Sequence, residues 1–127
     1  MIIGIGTDLV EMDRIREIGV DRLLKRILTE EEQKLLSQHE RRRLEMVAGR
    51  FAAKEAVVKA AGTGIGSQIG FLDIDVVKDK AGRPYLRLSE RAQKNLGWGE
   101  DVSLHLSISH TKAYATAIVV VERLASP

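Results

Sequence analysis

The stretch VSLHLSISHTKAYATAIVVV, residues 102–121, decides the fold class. Val102 to Ser109 alternates between polar and apolar, Tyr114 to Val121 is almost wholly apolar or small, and only His110 to Ala113 lies between them. Two such runs joined so tightly read as neighbouring antiparallel strands. Upstream the same signal recurs: Phe71, Ile74, Val76 and Val77, then Tyr85, Leu86 and Leu88, flank the turn-rich Asp79-Lys80-Ala81-Gly82. Between the hairpins Ser89 opens a short helix to Leu96. Before them, good helix formers run from about Glu40 to Ala61, interrupted only by Gly49 and ended by glycines at 62, 64 and 66. The capping box Thr29-Glu30-Glu31-Glu32 predicts another helix, through Ser37. Apolar residues at helical spacing predict two more, Met12 to Ile18 and Asp21 to Leu28. Ile2 to Leu9 is a β-branched run with two glycines, which predicts a short buried strand whose backbone something approaches closely. The order strand, helices, hairpin, helix, hairpin is that of an α+β domain with a small antiparallel sheet packed on a long helix.

The chain has 127 residues, 44% of them hydrophobic, which is enough for one core and so for a single domain, 1–127. A formal net charge of +2 argues against a polycationic tail and against disorder. With no cysteine, disulfide scaffolds, cysteine nucleophiles, thiolate zinc sites and iron-sulfur clusters are excluded. The N-terminus lacks a charged, apolar leader, and no window is long enough to span a membrane, so a cytoplasmic protein is expected. Apolar strand-like runs at both chain ends suggest an oligomer.

Several residues are suited to chemistry. Phe51, Glu55 and Lys59 fall in one helical stripe beside Ala48, Ala52 and Ala56, so an acid and a base share a small-residue groove. The groove has room for a metal ion and its waters, with Lys59, Lys54 and Arg50 near enough to hold phosphate oxygens; an ordinary ion pair four residues apart is the plainer reading. Asp8 closes an apolar strand and needs a partner, a cation or a helix to cap. Two carboxylates from separate elements, with lysines, suit magnesium and phosphate. The Gly62 to Gly70 segment follows a helix and lacks a lysine-serine/threonine ending, which rejects a Walker loop and leaves a helix stop. Alternation puts His105, Ser107 and Ser109 on one strand face with His110 at the turn; they can bind phosphate or move a proton, or simply line a solvated face. The first two helices turn Arg14, Arg16, Arg22, Lys25 and Arg26 outward, either a solvated face or a dock for an acidic macromolecule. Aromatic content of 4% and the lack of any nucleic-acid motif argue against nucleic acid. Arg41, Arg42 and Arg43 read most simply as aids to solubility.

Taken together, residues 4–11 (GIGTDLVE), 49–60 (GRFAAKEAVVKA) and 107–111 (SISHT) resemble the bacterial holo-[acyl-carrier-protein] synthases, the short 4'-phosphopantetheinyl transferases, over essentially the whole chain. The resemblance implies magnesium-dependent transfer of 4'-phosphopantetheine from coenzyme A to a serine of apo-acyl carrier protein, leaving adenosine 3',5'-bisphosphate. It implies that Asp8 and Glu55 hold magnesium, that Lys59 holds phosphate oxygens, that Arg50 and Lys54 add positive potential, and that Ser109, His110 and Thr111 meet the 3'-phosphate and ribose. It further implies a homotrimer with sites between subunits, Asp8, Glu55 and Lys59 from one chain and the His105 to Thr111 strand from its neighbour. The basic helices, Arg14 first, would then face the acidic carrier protein, with no nucleic-acid or membrane partner. The base that takes the serine proton stays open among Glu55, His105 and a metal-bound water. Two other readings remain at this point: a basic nucleic-acid module indifferent to magnesium, and a magnesium-dependent phosphohydrolase acting on coenzyme A without a carrier.

Overall fold

The structure is a computed structural model and describes residues 1–125. In chain order it forms β1 (Ile2–Glu11), α1 (Met12–Ile18), α2 (Val20–Ile27), α3 (Glu30–Gln33), α4 (Glu40–Ala61), β2 (Ile74–Lys78), β3 (Pro84–Leu88), α5 (Glu90–Leu96), β4 (Val102–His110) and β5 (Tyr114–Arg123). A three-stranded sheet has the order β1-β5-β4 and is antiparallel throughout; β2 and β3 form a separate antiparallel hairpin. This is the α+β arrangement expected.

The long helix α4 is the organising element. Val47, Ala48, Ala52, Ala53, Ala56 and Val57 along it are fully buried, and the inward residues of β5, Ala115, Ala117, Val119 and Val121, pack with them in one core. Small side chains on α4 let the sheet come close, and β1 comes closest. A Cβ at Gly6 would overlap the carbonyl oxygen of Ala56, and one at Gly4 would collide with that of Ala60. The two glycines are therefore what seats β1 on the C-terminal half of α4. The alanine groove is thus filled by the β1 backbone.

Three expectations need correction. First, β1 is ten residues long, forms a sheet edge, and only one face is covered: Ile5 and Leu9 are 60% and 65% exposed. Period-two alternation was hidden because the outward positions are apolar as well. Secondly, α3 has the capping box, with Thr29 Oγ accepting from Glu32 N and Glu32 accepting from Thr29 N, but ends after Gln33. One turn suffices because its role is to present Glu32, which is buried. Thirdly, the sheet's outer face is not simply polar, since Ile118 and Tyr114 of β5 lie exposed between Ile5 and Leu9 and the serines of β4. The 79–82 turn is as expected: Asp79 accepts from Ala81 N and Arg83 N, and Gly82 has φ +83°.

Candidate active site

The seating of β1 on α4 fixes the first part of the site. Asp8 follows Gly6 by two positions and so points to the same face, toward α4. There Lys59 Nζ donates to Asp8 Oδ1 at 2.9 Å. The Asp8 side chain is 15% exposed and that of Lys59 52%, so the carboxylate is recessed and the ammonium stands at the rim. Glu55, one turn before Lys59, is held close enough to Asp8 that its pKa is raised, by burial first and then by the Asp8 charge, with Lys59 pulling it partly back. Two carboxylates crowded in this way carry more negative charge than one lysine offsets, the condition under which a cation binds. Among the described residues no three or more histidine or acidic side chains converge as a complete metal cage. Asp8 and Glu55 would offer a cation two carboxylates, a set that suits magnesium, an ion that keeps most of its shell for water and phosphate. A cleft of about 540 Å³ opens here; Asp8, Glu11, Arg14, Phe51 and Glu55 line it.

Arg50 and Lys54 are not part of this group. Lys54 is fully buried, and its ammonium donates to Glu32 Oε1 at 2.5 Å, Ile27 O at 2.5 Å and Phe71 O at 3.1 Å. Glu32 also accepts from Val76 N at 3.1 Å. The expectation that Lys54 adds potential to the phosphate site is therefore corrected: its three donors are spent tying α2, α3 and the turn at Phe71–Asp73 to α4. Burial lowers the Lys54 pKa, with Glu32 opposing that shift. Arg50 is also buried, its Nε 3.6 Å from Glu32 and without a hydrogen-bond partner. It follows that Arg50 holds a desolvated, under-used cation, and it borders a second cleft of about 470 Å³.

That second cleft also takes Arg42, Glu45 and Gly49 from α4, Lys78 from the β2–β3 hairpin, and Ile108 and His110 from β4. Three cations and an imidazole, against the single carboxylate of Glu45, give this cavity a positive lining suited to an anion. The 107–111 residues divide. His110 pairs with Ala115 on the α4 side of the sheet, whereas Ser109 and His105 lie on the outer face. His105 stands 3.1 Å from Glu122 there. Since β5 separates β4 from β1, and Asp8 faces α4, one chain does not bring His105 to Asp8, and His105 cannot serve as a catalytic partner within it. Thr111 Oγ accepts from Ala113 N and Tyr114 N and so closes the turn. Arg50 and Glu55 are five positions apart on α4, about 140° around the helix, so the two clefts open on different sides of it.

Arg14, Arg16, Arg22, Lys25 and Arg26 are all exposed, as the sequence predicts, with Arg14 at the mouth of the first cleft and 3.7 Å from Glu17. The residues missed are Arg41, Arg42, Glu45 and Lys78. A signal for the first two existed. Positive charge in the first turn of a helix opposes its dipole, and three arginines there ask for a reason. Arg42 lines the anion cleft, Arg43 pairs with Asp21 at 2.8 Å, and Arg41 reaches the β4–β5 turn.

A family profile described as the 4'-phosphopantetheinyl transferase superfamily matches residues 4–119. The holo-[acyl-carrier-protein] synthase of Halalkalibacterium halodurans is 48% identical over 129 residues, spanning 99% of this chain and all of that protein. That of Bacillus subtilis is 46% identical over 132 residues, again with 99% and 100% covered. Among solved structures, a holo-(acyl-carrier-protein) synthase of Bacillus anthracis in complex with CoA (3',5'-ADP) superposes with a TM-score of 0.82 at 46% identity, covering 97% of this chain and 98% of that one. The Neisseria meningitidis holo-[acyl-carrier-protein] synthase gives a TM-score of 0.86 at 36% identity, with 97% and 100% covered.

Proposed function

The chain belongs to the 4'-phosphopantetheinyl transferase superfamily, as one of the holo-[acyl-carrier-protein] synthases that move 4'-phosphopantetheine from coenzyme A to a serine of apo-acyl carrier protein, and we propose how its residues do so. This reaction supplies the holo-carrier for fatty acid biosynthesis. The whole chain, 1–127, works as one cytoplasmic domain, in keeping with its single core, its lack of cysteine and the two substrates it joins. Among the described residues no helix is long and apolar enough to cross a membrane.

The observation that carries the proposal is the pairing of Asp8 and Glu55 at one cleft, with Lys59 bonded to Asp8 beside it. Asp8 and Glu55 hold magnesium, which when bound draws charge off the diphosphate of coenzyme A. Lys59, at the rim, would hold a phosphate oxygen. Phe51 and the recessed β1 backbone limit water on one side of the reacting phosphorus. The serine oxygen forms its bond to that phosphorus as the bond to adenosine 3',5'-bisphosphate breaks, and the serine proton passes to water in the open cleft. The Arg42, Arg50, Lys78 and His110 cleft takes the adenosine 3',5'-bisphosphate end, whose phosphates its cations face. Arg14 and the cations of α1 and α2 receive the acidic carrier beside the first cleft.

The two clefts open on different sides of α4, and one coenzyme A reaches both if the second belongs to a neighbouring subunit. The exposed apolar face of Ile5, Leu9, Ile118 and Tyr114 supplies a surface for a homotrimer in which each site is shared. The test is complementation. Asp8→Ala and Arg50→Ala proteins, each inactive alone, are dissociated, mixed and reassembled. Shared sites restore activity at about one quarter of interfaces. No recovery would place both clefts of a working site in one chain.

A further inference from the structure

The β4–β5 turn is tied to the first turns of α4 by groups that the transfer chemistry does not use. Arg41 donates through Nη2 to Lys112 O at 2.8 Å and Thr111 O at 3.3 Å, and through Nε to Glu45 Oε2 at 3.2 Å. The same Glu45 Oε2 stands 3.4 Å from Nδ1 of His110. Glu45 is about a quarter exposed and Arg41 under a third, while the His110 side chain is half exposed, so the clasp is sheltered and the ring it supports is open to the cleft. One guanidinium thus braces two successive carbonyls of the turn and the carboxylate beside the imidazole.

We propose that Arg41 and Glu45 form a positioning clasp that sets the orientation of His110 toward the adenosine 3',5'-bisphosphate end of coenzyme A. The inference rests on the assignment of that nucleotide end to the second cleft. The Glu45 carboxylate, 3.4 Å from Nδ1, faces that edge of the ring, which leaves Nε2 as the edge turned toward a ligand. Without the clasp the ring rotates about two side-chain bonds at the end of a strand, and the binding of an oriented anion carries that added entropy cost. Arg41 is needed as well because Glu45, on a helix, can hold the ring only if the turn bearing it does not drift. Arginine suits the task where lysine does not, since it forks to two carbonyls and a carboxylate at once.

The test measures adenosine 3',5'-bisphosphate binding by calorimetry to the assembled protein, with the KM for apo-carrier protein as a separate readout. Glu45→Ala and Arg41→Ala each weaken nucleotide binding about tenfold. Glu45→Gln, which keeps an acceptor, recovers most of the loss, and the carrier KM is unchanged in all three. Against a His110→Ala background Glu45→Ala adds no further loss. Equal losses in both backgrounds, or none in either single variant, overturn the clasp while leaving the cleft assignment intact if His110→Ala alone weakens binding. Wild-type affinity in His110→Ala overturns the assignment and the clasp together.

Discussion

Lys59 Nζ donates to Asp8 Oδ1 at 2.9 Å, joining the last turn of α4 to the edge strand β1 across 51 residues of sequence. The pair is a placeholder as much as a brace: a half-exposed ammonium is a modest stabiliser in water. It keeps the recessed carboxylate from sitting unpaired and holds a cation at the rim of the site.

Glu55 predicts an acid limb in the pH profile. Burial and the neighbouring Asp8 raise its pKa, so protons compete with magnesium at a higher pH than at an ordinary glutamate. At limiting magnesium the rate falls on acidification, and added magnesium moves the midpoint down. The stability effect has the opposite sign. A group with its folded pKa raised binds a proton more tightly when folded, so its contribution is full below the unfolded pKa and is lost as pH rises through the folded one. Glu55→Gln therefore raises the Tm of metal-free protein at neutral pH while removing activity, a combination that calorimetry and a rate assay read directly.

Lys54 predicts a loss of stability with little loss of chemistry. Lys54→Met leaves Glu32 charged and buried without its main partner, a cost of about 3–5 kcal/mol in denaturant unfolding. Adding Glu32→Gln removes the stranded charge yet keeps an acceptor for Val76 N, and recovers a large part of that cost. The folded fraction of the single variant transfers within a few-fold of the wild-type rate; a collapse of coenzyme A affinity alone would return Lys54 to the phosphate site.

These cases show what the sequence makes legible. The elements were visible because capping and turn residues punctuate them: Thr29, Ser89 and Gly62 each stand where a helix starts or stops. Asp8, Glu55 and Lys59 stood out as carboxylates and a lysine in settings that need partners. Helical spacing places Arg50 and Lys54 on α4 but is silent on what they meet, and their partner Glu32 lies upstream on a one-turn helix. The half-exposed nature of β1 was hidden for a related reason. Strand burial is inferred from apolar residues, and Ile5 and Leu9 are apolar although they are exposed.

Gly6 links packing to catalysis. Gly6→Ala drives a methyl into the Ala56 carbonyl, an overpacking cost of about 1–3 kcal/mol, and the relief is a shift of β1 away from α4. Asp8 moves with it. The variant loses activity well beyond the change in its folded fraction at the assay temperature, whereas activity that simply tracks folding would separate the seat from the site.

Arg14 predicts specificity for one substrate. Arg14→Glu reverses the charge at the mouth of the first cleft and raises the KM for carrier protein about tenfold at low salt, with the KM for coenzyme A unchanged. The difference shrinks as ionic strength rises.

The central claim is that Asp8 and Glu55 together make this chain a magnesium-dependent phosphopantetheinyl transferase. Intact-mass spectrometry of apo-acyl carrier protein incubated with the protein and coenzyme A tests it most directly. The account predicts the gain of one phosphopantetheine group with magnesium present, none in chelator, and none with Asp8→Ala or Glu55→Ala proteins that remain folded. Full conversion in chelator, or by either variant, would contradict it.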